Sequence, residues 1–524
     1  MITRRLFVGG AGASAAILPL SGSLAAQPDV VNTRYGSVRG IAERGTMSFR
    51  GIPYGAPTGG PRRFRAPEPP APWRGILHAT RYGPIAPQLP DPGHESEAPP
   101  ASSEDCLVLN IWTPGLSAAK RPVMVWFHGG GLAVGSGADP VTDGANLAAA
   151  HDVVVVTLNH RLNLFGYLYF GDLVGKGEAA ANPGQLDLVA ALKWVRENIA
   201  EFGGDPGNVT IFGHSGGGSK VGAMLAMPAG DGLFHRAILQ SGFSTSAQTP
   251  EEGERITRDL FKAMDVPVGD IAALRACTLQ QLLAGLGKVT HGSPILGPGM
   301  VVDGTVLPQV PLGPHSPQVS PRVPIMVGHA AQETTVLFPP PGAFTVTWDA
   351  LPALLGGDLA MLPGRFRDPQ ALIKGFRRLL PGASPSDIFF AITTEAGMGQ
   401  NARTVAEKRA KLPAPVFAYL VAWQSPAQNG RLHAHHGVEV PMVFDNSAVR
   451  HPPGRPRAED ARELGRIMSG YWAQFARSGD PNGHGLPRWP AYKIPGRATM
   501  IFDTPVTVRN DPLGAEQALI AAYA

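Results

Sequence analysis

Residues 210–218 read Thr210-Ile211-Phe212-Gly213-His214-Ser215-Gly216-Gly217-Gly218, a run of strand-forming side chains passing through Gly-x-Ser-x-Gly into a helical pattern from Ser219 to Met227. A serine in that setting sits on a strained strand-to-helix corner, exposed at the edge of a sheet and above the positive end of the following helix. The glycines belong there because side chains would collide where the chain doubles back. The pattern is short, and an arbitrary α/β chain also carries it as a purely structural turn. Its meaning is decided by what surrounds it.

On either side, short Val/Ile/Leu runs alternate with amphipathic stretches, which is the signature of a sheet covered on both faces by helices. Val123 to His128 and Val153 to Asn159 are near-continuous apolar runs of strand length, as buried parallel strands require. Between Gln185 and Phe202 apolar residues recur at helical spacing, and Gly203-Gly204 stops the helix. Further strands are expected at Val209 to Phe212, Ala237 to Gln240, Val323 to Val327 and Val416 to Trp423. Chemistry in such sheets gathers at the carboxyl ends of the strands.

A serine hydroxyl is a weak nucleophile unless a base takes its proton, and the oxyanion that follows needs donors already aimed at it. His128-Gly129-Gly130-Gly131 continues directly from a strand, and a glycine run leaves backbone N–H groups bare. Gly130 and Gly131, with the N–H of Gly216, are the candidate oxyanion hole. A phosphate-binding loop would end in Lys-Ser/Thr, which is missing here. In the α/β-hydrolase fold the partners follow the serine in the order acid, then histidine. Glu333, after the strand at Val323 to Val327, and His436, after the strand at Val416 to Trp423, fit that order.

With these residues in place, the chain resembles the type-B carboxylesterase and cholinesterase family, in particular its bacterial p-nitrobenzyl-esterase-like branch. Matching stretches run from Gly36 to Tyr492: Phe49-Arg50-Gly51-Ile52-Pro53-Tyr54, Glu104-Asp105-Cys106-Leu107, Phe202-Gly203-Gly204-Asp205-Pro206 onward to Gly218, Gln240-Ser241-Gly242, and Gly479-Asp480-Pro481-Asn482. The resemblance implies an α/β-hydrolase fold with a large, mostly parallel central sheet. It implies a serine carboxylic-ester hydrolase with Ser215 as nucleophile, Glu333 as acid and His436 as general base, and with Gly130, Gly131 and Gly216 as oxyanion donors. A small-molecule ester is the implied substrate, with no cofactor and no metal. The chain departs from the family at His214, where glutamate is usual, and at the glycines after Ser215, which weakens any claim for cationic substrates. The family cysteine that often pairs with the one at Cys106 falls at Ala86, which implies free thiols.

Other assignments stay open at this level. His435 rivals His436 as base, Asp303 or Asp445 rivals Glu333, and His433, His435 and His436 together could bind a metal. Glu104 and Asp105 read as structural acids, and His128 as a shaper of the glycine loop. A non-catalytic binding protein of the same fold, or an amidase or transacylase with the same triad, are the alternative functions.

Thr3-Arg4-Arg5-Leu6-Phe7, the weakly apolar stretch to Leu20, and Ser23-Leu24-Ala25 read as a twin-arginine export signal over residues 1–25. Its apolar part is too short for a stable membrane span. A bacterial periplasmic or secreted protein is expected, with residues 26–524 forming one domain. Pro250 to Leu296 and Ala343 to Pro413 look like helical insertions, a lid or regulatory unit over the site. The formal net charge is +4 and Lys and Arg are scattered, so no nucleic-acid groove is indicated. Cys106 is expected at a strand edge and Cys277 inside a helix spanning Ile271 to Leu283, both as free, buried thiols.

Overall fold

The computed structural model describes residues 29–90, 101–293, 297–313, 320–359, 362 and 364–523; the export segment at 1–25 lies outside them. In chain order the strands are β1 (Val30–Thr33), β2 (Gly36–Arg39), β3 (Ile41–Glu43), β4 (Thr46–Pro53), β5 (Ile76–His78), β6 (Val108–Thr113) and β7 (Arg121–Phe127). They continue as β8 (Val154–Leu158), β9 (Gly204–His214), β10 (Arg236–Gln240), β11 (Ile325–Ala330), β12 (Val416–Val421), β13 (Ala498–Phe502) and β14 (Thr507–Asn510). An 11-stranded sheet runs β14-β13-β12-β11-β10-β9-β7-β8-β6-β4-β3, and β1, β2 and β5 form a separate 3-stranded sheet.

The large sheet is parallel from β8 to β13 and antiparallel at its flanks, where β6, β4 and β3 close one side and β14 the other. Its parallel strands are buried along nearly their whole length, as the continuous apolar runs required. One apolar layer packs Leu188, Leu192 and Val195 of the helix Pro183–Asn198 against Val125, Val156 and Ile211. The other packs Met468, Tyr471, Trp472 and Phe475 of the helix Ala458–Ser478 against Met124, Phe212, Tyr419 and Phe502.

Chain direction across the sheet reverses between β7 and β9, where Phe127 pairs with Gly213. Loops diverging from such a switch point leave a crevice at the carboxyl ends of the strands. The glycine loop after β7 and the serine turn after β9 border it. A fully buried ion pair pins the neighbouring loop: Arg161 Nη2 and Nε reach the two oxygens of Asp187 at 2.6 and 2.9 Å. Close by, Asn163 N donates to Leu132 O at 2.7 Å, which ties that loop to the glycine turn.

Both expected insertions are helical. The first contains Pro250–Ala263, Ile271–Ala276 and Leu279–Val289, and packs Leu260, Phe261, Leu274 and Leu282 on Phe64, Leu164 and Phe170. The second contains Pro369–Leu379, Pro385–Thr394 and Gln400–Arg409, and shares a small core with Ile520 of the final helix. Cys277 departs from expectation. It caps Ile271–Ala276 rather than lying within one long helix, because Thr278 starts a fresh helix through a capping box with Gln281. Cys106 and Cys277 are both free, but only Cys106 is buried; Cys277 is partly exposed at the break between the two helices. Burial pushes the Cys106 thiol well above its ordinary value, which keeps it unreactive.

Candidate active site

Ser215 ends the run from β9 with φ 58° and ψ −125°, a conformation that costs a non-glycine residue about 1–3 kcal/mol and clusters at functional sites. The turn is held by its backbone: Ser215 N donates to Gln240 O at 2.8 Å, and Ser219 N donates to Ser215 O at 3.0 Å. The helix after it is Gly216–Ala226 rather than the expected Ser219 to Met227, because Ser215 itself occupies the cap and turns the first N–H groups toward the crevice. Ser215 is half-buried and the strand behind it is buried.

The glycine loop lies against this turn. A side chain at Gly129 would come within 3.5 Å of Ser215 Cβ, and one at Gly216 would sit 1.9 Å from Gly131 O, so the two segments touch through backbone. Gly130 and Gly131 have φ of 81° and 63°. The N–H groups of Gly130, Gly131 and Gly216 donate to no protein acceptor among the described residues. His128 holds the loop rather than moving protons: its Nδ1 bonds Gly129 O at 2.9 Å, and burial, then the nearby Lys220 charge, pulls the imidazole down to about 3. Lys220 was not foreseen. It is completely buried on the helix after Ser215, donates through Nζ to His128 O at 3.0 Å, and is drawn down to about 7 by burial.

Glu333 follows β11 and is fully buried. Its Oε1 accepts from Ser241 Oγ at 2.6 Å and from Ala330 N at 2.7 Å, while its Oε2 takes the Nδ1 hydrogen of His436. Burial would raise this carboxyl, but the charge and hydrogen bond of His436, helped by His329 and His214, hold it down at about 2. Glu333 is therefore ionised at neutral pH and takes its hydrogen from Nδ1 of His436, so that in the neutral imidazole the lone pair lies on Nε2. That Nε2 is buried and bonds no protein group among the described residues. No hydrogen bond joins it to Ser215 Oγ, a link that tightens in such sites when substrate arrives. The rings of His214 and His436 stand 4.3 Å apart, so His436 lies against the residue preceding the serine.

The rival residues His435 and Asp303 are engaged elsewhere. His435 Nδ1 bonds His436 O at 2.9 Å, and His433 faces Gln424 Oε1 at 3.0 Å and Asp387 Oδ1 at 3.5 Å, so the three imidazoles do not converge as metal ligands would. Asp303 caps its own turn at Val306 N and Leu307 N, and Glu104 pairs with the buried Arg63. In the sequence Ser241 is legible only as part of Gln240-Ser241-Gly242, with no role; its place follows from β10 lying between β9 and β11.

The profile of the Carboxylesterase family matches residues 27–340 and 382–518. The chain is 35% identical over 495 residues to the para-nitrobenzyl esterase of Bacillus subtilis (strain 168), spanning 92% of this chain and 96% of that protein. It is 32% identical to the phenmedipham hydrolase of Pseudarthrobacter oxydans, over 90% of this chain and 94% of that one. A crystal structure of a Geobacillus stearothermophilus carboxylesterase superposes with a TM-score of 0.80 at 36% identity, covering 94% of this chain and 99% of the other. Family, fold and reaction type agree with the crevice just described: this chain belongs to the carboxylesterase family and is a carboxylic ester hydrolase of α/β-hydrolase fold.

Proposed function

We propose that hydrolysis proceeds through an acyl-enzyme on Ser215, with His436 as general base and acid, Glu333 as its orienting carboxylate, and Gly130, Gly131 and Gly216 as oxyanion donors. His436 Nε2 takes the hydroxyl proton as Ser215 Oγ bonds to the ester carbonyl carbon. The carbonyl oxygen becomes an oxyanion facing the three N–H groups, and the C–O bond to the alcohol then breaks as His436 returns the proton to the leaving alkoxide. Water repeats the sequence, releasing the acid and regenerating Ser215. The observation that carries this reading is the Glu333–His436 hydrogen bond, which leaves Nε2 of His436 without a protein partner among the described residues while its ring packs on His214, the residue before Ser215.

Trapping tests it. A dialkyl p-nitrophenyl phosphate should form one Oγ–P bond per chain with stoichiometric release of p-nitrophenolate, and the added mass should map to the peptide containing Ser215. Stoichiometric labelling of any other residue with Ser215 unmodified overturns the assignment. The glycine contact gives a second check. Gly216→Ala would drive a methyl group into Gly131 O and displace the loop. The loss of aligned donors should lower kcat on p-nitrophenyl butyrate by about 10²–10³-fold.

The substrate proposed is a small-molecule ester. Residues 26–524 act as one catalytic domain, whose second insertion closes over the crevice. Supporting that placement, Thr334, next to Glu333, hydrogen-bonds Thr393 Oγ1 at 2.7 Å on the insertion's helix. Residues 1–25 are proposed to direct twin-arginine export to the periplasm or beyond, with cleavage after Ala25; an exported product that still begins at Met1 would refute this. No helix among the described residues is long and apolar enough to cross a membrane.

A further inference from the structure

Behind the proposed triad lies a second histidine and a second acid that the hydrolytic steps do not use. His214 ends β9 opposite Gln240 of β10, and Glu439 precedes the short helix Val440–Val443. His214 Nε2 stands 3.8 Å from Glu439 Oε1, with both side chains buried. The ring of His214 packs on the ring of His436 at 4.3 Å with a tilt of 45°. The chain reaches Glu439 through Gly437, which turns at φ 80° over the His214 ring; a Cβ there would lie 3.4 Å from His214 Cε1. Each imidazole therefore has its own buried carboxyl, and the two imidazoles touch.

We propose that His214 and Glu439 form a positioning pair that carries one titrating proton and so sets the charge beside His436. The proposal rests on the triad reading given above. Its logic is electrostatic. Glu333 already places one negative charge in this buried cluster, and a second bare carboxylate would repel it where solvent screens little. Neither carboxyl oxygen of Glu439 is held by a close hydrogen bond from a protein group among the described residues, which disfavours its ionised form further. The charged and titratable groups that face the pair are Glu333 and His436, with Tyr419 beside Glu439 and His329 beside Glu333. Burial first, and then the charge of Glu333, raises the Glu439 carboxyl to about 8.

While it keeps its proton, the pair is neutral, and His436 accepts the proton of Ser215 without a second cation against its ring. When the pair loses that proton, a negative charge appears beside His436 and stabilises the imidazolium of the transition state. Turnover should therefore show an upper rise with pH as the pair deprotonates, above the lower rise that general-base catalysis itself gives.

The test is kcat and KM for p-nitrophenyl acetate from pH 5.5 to 10 on the wild-type enzyme, His214→Phe, Glu439→Gln and the double variant. The wild type should show an upper rise in kcat of about fivefold with KM nearly constant. Both single variants should lose that rise while keeping the lower one, and the double variant should match either single. His214→Phe retains a ring against His436, so a purely packing role would leave its upper step in place. An upper step that persists in Glu439→Gln overturns the proposal. A single rise in the wild type does so as well, whether or not any variant folds. His436→Gln separates this from the parent reading: if it is inactive while the four profiles coincide, only the pair is rejected, and if it retains turnover, the triad is rejected too.

Discussion

Ser215→Ala should lower kcat on a p-nitrophenyl ester by about 10⁶-fold, because the only atom removed is the one that bonds to substrate. Structure and kinetics are unusually separable at this position. Ser215 Oγ makes no capping hydrogen bond to the helix that follows, and alanine adopts φ 58° no less readily than serine, so the turn should survive unchanged. Circular dichroism and thermal unfolding should match the wild type. The glycine N–H groups would remain, leaving a rate about 10³–10⁴-fold above that in water. Adding His436→Ala to Ser215→Ala should cost little more, since base and nucleophile act as one unit. A Ser215→Ala enzyme that keeps more than about one hundredth of wild-type kcat would contradict the acyl-enzyme route, set against the losses typical of nucleophile deletions.

The second large effect is expected from Glu333→Gln, with a fall in kcat of about 10⁴-fold despite the near-identical shape of the two side chains. The reason lies in the partners of the carboxylate. Oε1 receives two hydrogens, from Ser241 Oγ and Ala330 N, whereas Oε2 receives one, from His436 Nδ1. A glutamine satisfies the first pair only by turning its carbonyl toward them, which aims its NH2 at His436. The imidazole must then accept at Nδ1 and carry its hydrogen on Nε2, so it no longer takes the proton of Ser215. KM should stay within a few-fold of wild type, because substrate does not touch Glu333. The same carboxyl links stability to pH. Its value is depressed from 4.5 to about 2, so its contribution is complete above about pH 4.5 and is lost as pH falls through about 2. In Glu333→Gln that acid-side dependence should shrink, as read from urea unfolding midpoints between pH 5 and 2.

Much of this was visible in the linear chain for a definite reason. Strand runs such as Val123 to Phe127 are readable because continuous apolar side chains within a few residues fit a buried parallel strand, and Gly213-His214-Ser215-Gly216-Gly217 is readable because a tight turn constrains neighbouring residues only. The short edge strand β14 left no comparable mark, since its residues are mostly exposed and carry one apolar side chain, Val508. The break at Cys277 was missed because the capping box of Thr278 and Gln281 outcompetes an otherwise continuous helical pattern.

What the sequence determined alone was the local chemistry and its order: a serine on a strained corner, a bare glycine loop, and an acid and a histidine placed later at the ends of strands. What the tertiary structure decided was convergence and solvation. Ser241 meets Glu333, Lys220 meets the carbonyl of His128, and His214 comes against His436 and Glu439 only because strands far apart in the chain lie side by side with their ends level. Backbone preference is fixed by neighbours in the chain, whereas proton affinity depends on which distant charges share the same buried space.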